Sequence, residues 1–340
     1  MIPIKGYATF DPLKHCLIGK HFSSDFFKQA VKNPKVSDPL RRIADETEED
    51  FQALEKILKD AGVHTYRPTF DESTYDGEIH NRPPVCPRDE FAVIGETFYA
   101  TRPASFYADT LKNIDRNNLY VQNWNHQPPL VSTATICRVG KDIFWDRQID
   151  KLWNGLGTKD DTMDRVKQLA QKWKDEGFRV HESDRGYHSD GAFCVVKPGC
   201  IVSLREIQDY ETEFPGWDVL YLPDQSWDKV SPFLEIKEKV KGRWWVKGEE
   251  QNEQLIEYVN TWLDEWVGYV EETVFDVNML SIDQNTIICN NYNKEVFEHF
   301  KRHKVEPIVF NFRHRYFWDG GVHCITQDLY REGTQEDYFG

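Results

Sequence analysis

The feature that most constrains this chain is a recurring unit: two short apolar runs around a tight turn, then a helical stretch, then one more apolar run. FAVIGETFYAT (91–101) turns at Gly95, and TICRVGKDIFW (135–145) turns at Gly140-Lys141. AFCVVKPGCIVSL (192–204) turns at Pro198-Gly199, and NMLSIDQNTIICN (278–290) turns around 283–285. Apolar, β-branched runs separated by such turn residues predict β-hairpins. A weaker copy begins at FDPLKHCLIGK, near the N-terminus. The third hairpin leads to WDVLYL (217–222), and the fourth to KEVFEHFKRHK (294–304) and EPIVFNF (306–312). In the first unit Ile43, Phe51, Leu54, Ile57 and Leu58 recur at helical spacing ahead of Gly62, a stop signal. About five copies of strand–strand–helix–strand predict an α/β chain that closes radially or stacks, rather than one open sheet.

The same repeat locates a site. Asp89 precedes the first hairpin, Ser132 the second, and His188 and Asp190 the third; Asn278 opens the fourth. Cys324 follows the aromatic run in FRHRYFWDGGVHCIT. If the units surround a pseudo-axis, these equivalent positions converge on one central pocket. A thiolate is a strong nucleophile once its pKa is lowered, and an imidazole serves as acid or base near neutrality. Two carboxylates beside them would oppose an oxyanion intermediate, but they suit a substrate that is already a cation. A guanidinium fits, being planar, permanently charged and able to pair with carboxylate oxygens. The cysteine would attack its central carbon, His188 would protonate the leaving amine, and water or a second amine would resolve the covalent adduct. Each residue also has a plainer reading: Cys324 as a buried thiol, His188 as a turn residue bonded to Asp190, Asp89 as the partner of Arg88. Zinc on His188, Asp190, His323 and Cys324 lacks the tight ligand-pair spacing of structural sites, so no metal or organic cofactor is implied.

Bulk properties narrow the partners. The chain has 340 residues, is 39% hydrophobic, and carries a net charge of −15, which opposes general binding to nucleic acid or anionic membranes. Seven scattered cysteines without a Cys-x-x-Cys pair, and an N-terminus without a secretory leader, predict reduced thiols in the cytoplasm. Small molecules are the expected partners, and a homodimer is a possible assembly.

At these residues the chain resembles the amidinotransferases of the guanidine-modifying pentein superfamily, in particular the arginine:glycine amidinotransferases. FDPLKHCLIG, PRDEFAVIGE, GKDIFWDRQ, YHSDGAFCVVKPGCIV and GGVHCIT resemble successive family motifs, in order and through most of the chain. The resemblance implies a single domain over 1–340 with a five-bladed α/β propeller fold. It implies Cys324 as nucleophile, His188 as acid/base, and Asp89 and Asp190 as guanidinium-binding carboxylates. Arg205 is the candidate for holding the donor's carboxylate, with Arg185, Arg313 and Arg315 as alternatives. The implied activity moves an amidino group from arginine or a related donor to an amine. Hydrolysis of the type seen in deiminases and dimethylargininases, or ligand binding without turnover, are the other readings.

Departures from the pattern bear on the chemistry. The family's orienting carboxylate ahead of the second hairpin is replaced by Ser132, and a second acidic position by Thr135. A serine can bond an imidazole but cannot stabilise imidazolium by charge, so His188 should be a weaker base unless Glu271, Glu272 or Asp276 substitutes. Asp319 stands where the family has a third glycine. Arg185 and Tyr187 also differ from the glycine-accepting enzymes, which points to another acceptor. Residues 226–272 form an insertion whose second half predicts an amphipathic helix presenting Leu255, Tyr258, Val259, Trp262 and Trp266. That insertion is either a packed decoration or a lid or oligomer contact.

Overall fold

A computed structural model of the chain describes residues 1–70, 72, 82–101, 105–121, 131–146, 161–183, 189–204, 209–223 and 227–340. Its strands form five three-stranded sheets built on one plan, a central strand with an antiparallel neighbour on one side and a parallel neighbour on the other. The second sheet joins β3 (Ala92–Ile94), β4 (Thr97–Ala100) and β5 (Leu119–Val121). The third joins β6 (Ile136–Val139), β7 (Asp142–Asp146) and β8 (Arg179–Ser183). The fourth joins β9 (Phe193–Lys197), β10 (Cys200–Leu204) and β11 (Asp218–Leu222). The fifth joins β12 (Leu280–Asp283), β13 (Thr286–Cys289) and β14 (Glu306–Val309). All four hairpins predicted from the sequence are present. Gly140 shows why such turns need glycine: its φ is +65°, and a Cβ there would lie 2.1 Å from the carbonyl oxygen of Glu336.

The first sheet corrects the expectation of a fifth hairpin near the N-terminus. Its central strand, β1 (Leu13–Ile18), is parallel to β2 (His64–Tyr66), but its antiparallel partner is β15 (Thr326–Arg331), from the other end of the chain. The last strand completes the first unit, so the sheet that holds both ends of the repeat closes the ring and covers an edge that would otherwise be unpaired.

Parallel third strands require a crossover. Helix α1 (Ser24–Ala30) and the 27-residue α2 (Pro34–Asp60) lie between β1 and β2. Helix α2 starts where the Asn33 side chain accepts from the Lys35 amide, with Pro34 at the first position, and it ends before Gly62. It buries Leu40, Ile43, Phe51, Leu54 and Leu58. The other crossovers contain α3 (Ala108–Leu111), α4 (Asp161–Asp175), α6 (Tyr210–Glu213) and α9 (Lys294–Arg302), and the four-residue α5 (Ser189–Ala192) precedes β9.

One carboxylate ties the ring together at its axis. Asp328, on β15, is buried and receives Arg88 Nη1 at 2.9 Å, Arg331 Nε at 2.9 Å and the guanidinium of Arg138 on β6. Arg331 Nη1 also donates to the carbonyls of Asp11 and Ser281, at 2.6 and 3.0 Å, and Arg138 Nη1 donates to that of Val93 at 2.5 Å. Four of the five units meet in this network.

In the segment after residue 226, α7 (Phe233–Ile236) and α8 (Glu253–Trp262) pack on α2 and on α10 (Arg315–Trp318). Leu255 and Val259 are buried as predicted, but the amphipathic face is shorter than the sequence reading placed it. The helix ends at Trp262, which is 53% exposed, because the chain turns at Leu263. Trp266 enters the core from the following loop and stacks on Trp318 with ring centroids 5.9 Å apart. No helix among the described residues is long and apolar enough to cross a membrane.

Candidate active site

Cys324 sits in the link between α10 and β15, buried at 8% exposure. The backbone before it is shaped by a residue the sequence singled out. Asp319 caps α10 in the left-handed region, at φ +50°. That conformation strains most side chains, and Asp tolerates it better than most, so the glycine of related motifs is understandable here. Gly320 and Gly321 do not have positive φ. The glycines are needed for space: a Cβ on Gly321 would lie 2.5 Å from Asn278 Oδ1 and 2.7 Å from Asn290 Nδ2, and one on Gly320 would lie 2.8 Å from Cys86 Sγ.

Asn278 holds the thiol. Its Nδ2 donates to Cys324 Sγ at 3.0 Å, and its Oδ1 accepts from the amides of His323 and Cys324 at 3.0 and 3.4 Å. Asn290 fixes this arrangement by donating to the Asn278 carbonyl at 2.5 Å and accepting from the Val322 amide at 2.7 Å. Arg88 clamps the other side, donating from Nε to the carbonyls of His323 and Thr326 at 2.6 and 2.8 Å.

Asp190, in α5, faces the same point. Cys324 Sγ lies 3.6 Å from its Oδ2, and Asn278 Nδ2 lies 3.3 Å from that oxygen. His323 Nδ1 donates to Asp190 Oδ2 at 2.8 Å. Burial, reinforced by the charge of Arg88, pushes the His323 pKa down to about 4, so near neutral pH the imidazole is an uncharged donor to Asp190. Asp89 ends a 3₁₀ turn over Pro87–Asp89 and lies 3.9 Å from Arg82 Nη1. Its neighbour is thus Arg82 rather than Arg88, which the Asp328 network holds. Arg82 also donates to Cys86 Sγ at 3.2 Å. The Cys324 thiol is held well above its ordinary pKa, first by burial and then by Asp190 and Asp89.

Ser132 is buried immediately before a 3₁₀ turn over Thr133–Thr135. That turn packs against both α5 and the Pro87–Asp89 turn, so Ser132 belongs to the same ring of elements. Thr135 donates its hydroxyl to the Ser132 carbonyl at 2.9 Å. Asp276 accepts from Asn291 and Asn293 through its two oxygens. Two arginines considered for the donor's carboxylate are committed elsewhere. Arg313 pairs with Asp50 and Glu49 on α2, and Arg315 is buried, donating to the Phe312 carbonyl at 3.1 Å and stacking on Tyr316. His188, Arg185, Tyr187 and Arg205 lie outside the described residues.

The structure therefore brings Cys324, Asp190 and Asn278 into direct contact, with Asp89 and Ser132 on adjoining turns. Sequence reasoning did not find Asn290, Cys86, Arg82 or the clamping role of Arg88. Cys86 and Arg88 lie within the PVCPRD segment that flagged Asp89, but nothing local marks Asn290, whose partner Val322 is 32 positions away.

No family model matches the chain. A search of curated proteins gives glycine amidinotransferase of Xenopus laevis mitochondria, 22% identical over 405 aligned residues, spanning 99% of this chain and 85% of that protein. The chain is similar to the amidinotransferases in sequence and shares their fold. Among solved structures, the chain is similar to SxtG, an amidinotransferase of the saxitoxin biosynthetic pathway in Microseira wollei. The TM-score is 0.65 at 18% identity, over 99% of this chain and all of that one. A dimethylarginine dimethylaminohydrolase shares the fold more distantly, with a TM-score of 0.55 at 12% identity over 92% of this chain and 98% of its own. With this fold, the five sheets of the chain are the five blades of an α/β propeller.

Proposed function

We propose that the protein is an amidinotransferase that takes an amidino group from arginine, or a related guanidino donor, onto Cys324 and passes it to an amine. The observation that carries this reading is a buried thiol 3.6 Å from one carboxylate, with a second carboxylate on the adjoining turn. Such a site disfavours an anionic intermediate and favours a planar cation. The Arg82 guanidinium beside Asp89 and Cys86 supports the same preference from within the chain.

The electrostatics supply an activation step. In the free protein, burial and the two carboxylates keep the thiol protonated. A guanidinium between Asp89 and Asp190 places a positive charge beside the sulfur and offsets one of the two negative ones, which lowers the thiol pKa only when substrate is present. The Cys324 thiol gives up its proton, in this proposal to His188, its sulfur bonds to the guanidinium carbon, the C–N bond to the donor breaks, and the departing amine takes that proton from His188. The acceptor amine attacks the amidino carbon, loses a proton, and releases the thiol. Asn278 positions Cys324 throughout, through hydrogen bonds to its sulfur and its amide. Ser132, in place of a charged orienting group, leaves His188 a weaker base. Arg185 and Tyr187, which flank His188 in the sequence and differ from the glycine-accepting enzymes, favour an acceptor other than glycine. Arg205 remains the proposed holder of the donor's carboxylate.

The test is a product assay with arginine and a panel of small amines. Ornithine formed in step with one amidinated amine is the expected result. Sustained citrulline without amidinated amine would place the protein among the hydrolases, and neither product would refute arginine as donor.

A further inference from the structure

A second cluster lies away from Cys324, where the fourth and fifth blades meet. Cys200 opens β10 just after the hairpin turn, and its Sγ is 3.3 Å from His299 Nε2 on α9. His303 caps the same helix, one turn after His299, with imidazole centroids 4.7 Å apart. A ligand atom from each of Cys200, His299 and His303 lies within 4.8 Å of the other two. Asp218, at the start of β11, adds a carboxylate: its Oδ2 is 2.8 Å from His303 Nε2 and 3.8 Å from His299 Nδ1.

These dimensions are close to those a metal imposes. In a tetrahedral zinc site, Zn–S near 2.3 Å and Zn–N near 2.0–2.1 Å place sulfur and nitrogen about 3.6 Å apart. The i, i+4 spacing of two histidines on one helix face, with a cysteine from a facing strand, gives three converging soft and borderline ligands. Asp218 is placed as the carboxylate that orients ligating imidazoles. Cys200 and His299 are fully buried, whereas His303 and Asp218 reach the surface, so the cluster has an entry side. Arg302, exposed on the last helical turn, donates to His299 Nδ1 at 2.9 Å, which leaves His299 Nε2 as the atom facing Cys200.

We infer that Cys200, His299 and His303 form a zinc site, with Asp218 as its orienting carboxylate and the remaining position open to water. The metal joins β10 of one blade to α9 of the next. It is distinct from the amidino chemistry: Asp190 precedes the start of β9, while Cys200 follows its end, so the length of that strand, ~13 Å, separates them. Nothing in this inference depends on the proposed function.

The test uses the full-length protein, stripped with a chelator and then equilibrated with zinc alone or cobalt(II) alone. The expected result is one zinc per chain, and a thiolate-to-cobalt charge-transfer band present in the wild type and in Cys324→Ala. Cys200→Ser should abolish the band, and His303→Gln should weaken zinc binding at least tenfold. Because His303 is at the surface, that variant is informative even if Cys200→Ser fails to fold. Absence of stoichiometric metal would overturn the inference. So would zinc affinity unchanged in His303→Gln, or a band that disappears with Cys324 instead of Cys200.

Discussion

At the scale of single residues, two carboxylates govern one thiol. Asp190 and Asp89 raise the Cys324 pKa in the free protein, after burial itself, and are proposed to bind the guanidinium that lowers it. Asp89→Asn separates these effects. Removing the negative charge favours thiolate, so alkylation of Cys324 by neutral iodoacetamide should accelerate and its pH profile should move to lower pH. Reaction with arginine should fall, because a lost charged hydrogen bond costs about 1.5–3 kcal/mol, or roughly ten- to hundredfold. Parallel changes in both rates would contradict the arrangement. The sequence made Cys324, Asp190, Asp89 and Asn278 legible because each sits beside a recognisable hairpin or glycine pair. It could not show that Asn278 grips the sulfur or that His323 bonds Asp190, since those contacts join positions 46 and 133 residues apart. The glycines before Cys324 are plain in the sequence, but the reason for them is not. Asn278, Asn290 and Cys86 crowd them, and no sequence pattern foretells crowding by side chains from other blades.

At the scale of elements, hairpins were the easiest features to read. Gly95, Gly140 and Gly199 all adopt positive φ between apolar strands, a local requirement written locally. Helix ends set by tertiary packing were harder, as Trp262 and Trp266 show: the periodicity continues past the point where the chain turns into the α2 and α10 core. That packing has a measurable consequence. Leu255 is fully buried between α8 and the rest of the core, so Leu255→Ala should cost about 2–5 kcal/mol through lost transfer energy and a cavity. Chemical denaturation would read this as a lower midpoint with an unchanged slope. A midpoint within error of the wild type would mean that residues 227–272 are held to α2 more weakly than their burial implies.

At the scale of the whole molecule, ring closure depends on chain ends meeting and on a charged centre. The pairing of β1 with β15 spans most of the chain, so the N-terminal unit looked like a weak hairpin when it was half of a sheet completed elsewhere. The centre is Asp328, held far below the ordinary carboxylate range because the charges of Arg138, Arg331 and Arg88 outweigh its burial. Asp328→Asn would leave three buried guanidiniums without their shared counter-charge, and breaking a buried pair costs about 3–5 kcal/mol. The expected outcome is loss of cooperative unfolding or a large drop in melting temperature, checked by calorimetry; a melting curve like the wild type would show that the network is not what joins the blades. The central claim remains chemical, and the most direct measurement is the intact mass of the protein after incubation with arginine alone. One added amidino group per chain is expected, located on Cys324 by peptide mapping, accompanied by one equivalent of ornithine and absent from Cys324→Ala. An unmodified protein, or a modification that survives in Cys324→Ala, would contradict it.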